Sequence, residues 1–179
     1  MNLNYFSVEL EMVSLQIPWK LCDKQTRLVV VMKVKGTDEI LCGYNPIGWD
    51  KPAGNSFYKN CNDRFIFSLK NGTIQNSILS RLEQPTYAIH CDASQGPRFG
   101  GGCDLVMSNN FNQDRKCWSR KKSYERRIRN GSTYEIKNDY ASFFSVDEYE
   151  IFRLAKNPKF IQISSLNIAN GLLILSVIN

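Results

Sequence analysis

The run Leu28-Val29-Val30-Val31-Met32-Lys33-Val34 constrains this chain more than any other stretch. β-Branched side chains lose rotamer freedom in a helix and pack well on a pleated surface, so the run reads as a buried strand. Lys35-Gly36-Thr37-Asp38-Glu39 is turn chemistry, and Ile40-Leu41-Cys42-Gly43-Tyr44 resumes the apolar character, so the two runs form a hairpin that Asn45-Pro46 ends. Further strands are expected at 64–69, 86–91 and 103–108 and around Tyr149–Phe152, with a polar loop over 50–63. Short helical turns are expected at Ile78–Leu82 and at Val146–Glu148. Short strands separated by turn signals point to an antiparallel sandwich or a layered α+β domain.

The length of 179 residues suits one domain with a proper core. The net charge of +6 permits an acidic partner without naming one. Six cysteines (Cys22, Cys42, Cys61, Cys91, Cys103 and Cys117) are scattered without a CxxC pair, which argues against a zinc site. No stretch combines a basic start, an apolar centre and a small-residue cleavage site, so reduced thiols in a cytoplasmic protein are expected. The polar interruptions in residues 160–179 argue against a membrane span, which needs ~20 mainly apolar residues.

Three features carry candidate chemistry. The first is the triplet Gly100-Gly101-Gly102 between Phe99 and Cys103-Asp104. It lacks the Gly-Lys-Ser/Thr ending of a phosphate loop, and a strand rather than a helix follows it. It therefore reads as a place of close backbone approach, with Asp104 as a buried hydrogen-bonding anchor. The second is His90, the sole histidine, next to Cys91 on a strand. Strand neighbours point to opposite faces, which disfavours a Cys–His dyad between them. The third is the basic segment Arg115, Lys116, Arg120, Lys121, Lys122, Arg126, Arg127 and Arg129, interleaved with Trp118 and Tyr124. It offers contacts to an acidic protein partner or to nucleic acid. No nucleic-acid motif accompanies it, and its plainer reading is a solvated loop and edge strand. Cys117 lies among Arg115, Lys116 and Arg120 and is the candidate for a reactive thiol, should the protein be a redox sensor or enzyme.

Several segments taken in order resemble one family: VVVMKVKGTDEILCGYNPIGWD (29–50), DRFIFSL (63–69), YAIHCD (87–92), GPRFGGGCDLVMSNNF (96–111), SYE (123–125) and FSVDEYEIFRL (144–154). Together they are similar to the TLDc domain, the TBC- and LysM-associated domain of the oxidation-resistance proteins, in the versions abundant in fungi. The motif set is Gly43, Tyr44, Trp49, Phe65, Phe67, Phe99, Gly100, Gly101, Gly102, Asp104 and Leu105. The resemblance implies a mostly β, α+β fold: a two-sheet antiparallel β-sandwich with short flanking helices. It also implies a non-enzymatic protein-interaction module without catalytic residues, metal or cofactor, linked to oxidative-stress resistance and to the vacuolar proton-pumping ATPase. It divides the chain into a divergent segment over 1–18, the domain over 19–156 and a divergent extension over 157–179. Codons chosen for Asn4–Leu15 and read from each third base give LFFRGARDGFT, close to the family's usual opening. A frameshifted and poorly anchored N-terminus is the resulting expectation.

Overall fold

The computed structural model describes residues 21–70, 73–93, 95–130, 133–136, 139–154, 160–167 and 172–178. The expected hairpin is β1 (Leu28–Val34) and β2 (Ile40–Asn45), paired from Leu28 opposite Asn45 to Lys33 opposite Ile40. β4 (Phe65–Lys70) and β5 (Thr73–Arg81) extend the sheet beyond β2. β12 (Val146–Arg153) closes it on the far side of β1, in the order β12-β1-β2-β4-β5. Both faces of this sheet are buried. Leu28, Val30, Met32, Leu41 and Ile66 point to one side, and Val29, Val31, Cys42, Tyr44, Phe65, Phe67 and Phe152 to the other. Two buried faces explain why β1 is a continuous apolar run from Leu28 to Met32 instead of an alternating one.

The second sheet is built from β3 (Phe57–Lys59), β6 (Ile89–Cys91), β7 (Arg98–Phe99), β8 (Leu105–Val106), β9 (Cys117–Ser119), β10 (Thr133–Ile136) and β11 (Asp139–Phe144). Its order is β10-β11-β9-β8-β7-β6-β3, antiparallel throughout. Ile89, Cys91, Phe99, Leu105, Cys117 and Phe144 join the first sheet's inner residues in one core. The result is a β-sandwich with few helical residues. A separate hairpin pairs β13 (Phe160–Asn167) with β14 (Leu172–Ile178).

Several expectations change on contact with the fold. Ile78–Leu82 is not a helical turn. Ile78, Leu79 and Ser80 pair with Ser68, Phe67 and Ile66, and long-range ladder bonds override a five-residue helical pattern. Val146–Glu148 opens β12 instead of a turn, with a register shift opposite Lys33 and Val34. The loop expected over 50–63 contains the edge strand β3. The strand expected from Thr86 is a 3-10 turn over Pro85–Tyr87 before β6 begins, because Pro85 fixes the first backbone angle. The expectations for residues 1–18 lie outside the described residues.

Candidate interaction surface

The resemblance motif assembles at two junctions. Gly43 on β2 faces Phe99 on β7 across the sandwich, and a Cβ at Gly43 would clash with the end of the Phe99 ring. Trp49 meets the same ring edge-on with centroids 5.2 Å apart, and its Nε1 donates to the Arg98 carbonyl at 3.1 Å. Tyr44 stacks on Phe65 at 5.3 Å, and Phe67 lies beside Phe65, on the opposite face of that sheet.

The second junction is Asp104. Its side chain is fully buried, and Oδ1 accepts from the amides of Lys122, Ser123 and Tyr124 at 2.7, 2.8 and 3.1 Å. Its carbonyl accepts from Arg120 N at 3.0 Å and Ser119 Oγ at 2.9 Å. Burial pushes the Asp104 carboxyl above its ordinary value, and the three amides pull it part of the way back. The glycine triplet is shaped around these contacts. Gly100 has φ +81°, and a Cβ there would strike Asp104 Oδ2. Gly101 is covered by the Cβ of Tyr87, and Gly102 by the first carbons of Lys122. The triplet makes room for neighbours and leaves no phosphate cradle.

Register places one residue of each central strand on the outer face of the seven-stranded sheet. Tyr58, His90, Arg98, Val106, Trp118 and Phe143 are successive cross-strand partners. Their neighbours Cys91, Phe99, Leu105, Cys117 and Phe144 go to the core, as period-two alternation demands. Tyr58 stacks on His90 with centroids 4.6 Å apart and meets Tyr87 edge-on at 5.3 Å. Arg98 Nη1 lies 2.9 Å from His90 Nδ1, and its guanidinium carbon sits 5.9 Å from the Trp118 ring. Asp92 approaches Arg98 at 3.6 Å. Because Arg98 donates to Nδ1, that nitrogen is the acceptor and His90 is neutral. Burial and the Arg98 charge both lower the His90 pKa. Tyr58 and Tyr87 are 45% and 48% exposed, so the row opens onto solvent at its β3 end.

The basic segment splits instead of forming one patch. β9 lies between β11 and β8, so its residues are central and not on the expected edge strand. Lys116, Lys121 and Lys122 are exposed beside the outer row, and Arg120 Nε donates to the Gly102 carbonyl. Beyond Tyr124 the chain leaves this face. Arg126 N and Ser80 Oγ are hydrogen-bonded at 2.8 Å alongside β5, and Arg127 Nη1 donates to the Tyr140 carbonyl. Arg129 is committed to Glu39 at 2.6 Å and to the Phe144 ring. Arg115 is exposed, and its amide donates to Ser145 Oγ at 2.9 Å. Cys117 corrects the thiol expectation: it is fully buried, with its pKa pushed up to about 11. Sequence proximity to cations misleads here, because Arg115, Lys116 and Arg120 point away from a thiol that alternation turns into the core.

The outer row itself is absent from the sequence reading, since none of its strands is longer than six residues. Among the described residues, no group of three or more His, Cys, Asp or Glu side chains could hold a metal ion. No helix among them is long and apolar enough to cross a membrane. Compared with family models, curated proteins and solved structures, the chain matches none.

Proposed function

We propose that the chain is a TLDc-type, non-enzymatic interaction module that docks on the vacuolar proton-pumping ATPase and thereby serves oxidative-stress resistance. The observation that carries this reading is the outer row from Tyr58 to Phe143, rimmed by Lys116, Arg120, Lys121 and Lys122. Half-exposed aromatic rings supply desolvation energy, and the exposed Lys116, Lys121 and Lys122 supply steering toward an acidic surface. The convergence of Gly43, Trp49, Phe99 and Asp104 on two packed junctions supports the resemblance, because each motif residue has a physical task there.

Surface plasmon resonance with the purified proton pump tests the proposal. The wild-type chain binds, and binding weakens as salt rises. The double variant Arg120→Glu, Lys122→Glu binds at least ~10-fold more weakly, as expected for reversed charges in a contact zone. Absence of binding by the wild type, or equal binding by the variant, refutes it.

A further inference from the structure

One lone pair decides how the outer row responds to acid. His90 Nδ1 is the acceptor for Arg98 Nη1 at 2.9 Å, so the ring's own hydrogen sits on Nε2. A second proton on the imidazole goes to Nδ1, the nitrogen that has a lone pair to offer. The proton and the Arg98 bond therefore exclude each other, since a protonated His90 would set two cationic nitrogens 2.9 Å apart.

The surroundings decide which partner gives way. Tyr58 stacks on the imidazole with centroids 4.6 Å apart, and an aromatic face attracts a cationic ring, so His90 keeps its place when charged. The Arg98 backbone is held too. Its carbonyl accepts from Trp49 Nε1 at 3.1 Å, and its strand pairs with β6 and β8. The Arg98 side chain is less committed. Its Nε has no hydrogen-bond partner, and its guanidinium carbon sits 5.9 Å from the Trp118 ring. Nη1 lies 3.6 Å from Asp92 Oδ2 and 3.8 Å from Cys103 Sγ. The charged and titratable groups facing the pair are thus Tyr58 from β3, Asp92 after β6 and Cys103 from the glycine loop. Arg120, the nearest further cation of that loop's surroundings, is turned to the Gly102 carbonyl. Asp92 is the carboxylate of this set, and it already approaches Arg98.

We infer that His90 and Arg98 form a proton-operated switch on the outer face: a proton on Nδ1 releases the Arg98 guanidinium from the imidazole and from its seat beside Trp118, toward Asp92 and solvent. The Arg98 side chain is 9% exposed while the pair is closed, so release uncovers a charge that the row otherwise hides. Burial and the Arg98 charge lower the His90 pKa, which places the change below the ordinary histidine value. The consequence for binding rests on the docking role proposed above. Acidification adds the His90 charge and uncovers that of Arg98, so an acidic partner is held more tightly. The switch itself does not depend on what docks.

Nuclear magnetic resonance of the full chain alone, titrated from about pH 8 to about pH 5, spans the histidine range and tests it. His90 is the sole histidine, so its ring signals stand alone, and Trp118→Phe assigns the Trp118 indole N–H. The Trp118 signal is expected to move with the same midpoint as His90, while that of Trp49, bonded to the Arg98 carbonyl, stays fixed. Arg98→Met is expected to raise the His90 midpoint by about one pH unit and to abolish the Trp118 movement. His90→Gln presents an acceptor that does not titrate, so it is expected to hold Arg98 and leave the Trp118 signal flat. A Trp118 signal that ignores the His90 midpoint in wild type, or that still follows it in Arg98→Met, overturns the inference. Should Arg98→Met fail to fold, a Trp118 signal that titrates in His90→Gln as it does in wild type overturns it equally. Because no partner is present, failure of the docking reading leaves each of these outcomes unchanged.

Discussion

Asp104→Ala tests the anchor around which the glycine loop and the basic segment are arranged. The variant deletes the acceptor shared by the amides of Lys122, Ser123 and Tyr124, all within 3.1 Å of Oδ1. Two of those amides sit on buried residues, Ser123 and Tyr124. An orphaned buried donor costs about 1–3 kcal/mol, so two of them and a more exposed third cost about 3–6 kcal/mol together. At about 2–4 °C per kcal/mol for a chain of this size, the melting temperature should fall by about 6–24 °C. Differential scanning calorimetry measures it. Asp104→Asn keeps one acceptor oxygen and should lose less than half as much. The two variants also separate charge from shape. The folded-state pKa of Asp104 is raised, so the folded protein binds the proton more tightly than the unfolded chain does. Stability from this group is therefore greatest below the ordinary carboxylate value and falls as pH rises through the raised one, a slope that Asp104→Asn should remove. An Asp104→Ala protein melting within about 3 °C of wild type would refute the anchoring role, since the three orphaned amides together predict a fall of at least about 6 °C.

Other substitutions probe the rest of the account. Gly43→Ala should cost about 1–3 kcal/mol by urea denaturation, because the new methyl group must displace Phe99 from the core. Gly101→Val should destabilise without removing an activity, since its side chain needs the space of the Tyr87 Cβ, and an unchanged melting temperature counts against this. The His90 pKa is lowered, so its contribution to stability is present at higher pH and is lost on acidification below the ordinary histidine value. His90→Gln should flatten that limb in pH-dependent melting curves. Cys117 should resist alkylation at neutral pH in the native state and react only on unfolding, as peptide mapping with and without urea would show.

The core strands were legible because their signal is local. Leu28–Val34, Ile40–Asn45 and Phe65–Lys70 carry enough apolar residues to announce themselves, and the lysine–glycine turn between the first two sets their register. The strands of the second sheet are two to six residues long, apart from the flanking turns that name them. Arg98-Phe99 and Leu105-Val106 become strands only because neighbours pair with them, which no periodicity can show. Asp104 was recognisable as an anchor from its place after the glycines, but its partners lie 18–20 residues away. The outer row was out of reach for the same reason: it exists across strands, not along one.

Hydrogen–deuterium exchange of the full chain, alone and with the purified vacuolar proton pump, most directly tests the outer face of the seven-stranded sheet as the docking surface. The account predicts that protection on binding concentrates in peptides covering residues 57–59, 89–91 and 115–122, with little change over β1 and β2. Protection confined to the five-stranded sheet, or none anywhere at saturating pump, would contradict it.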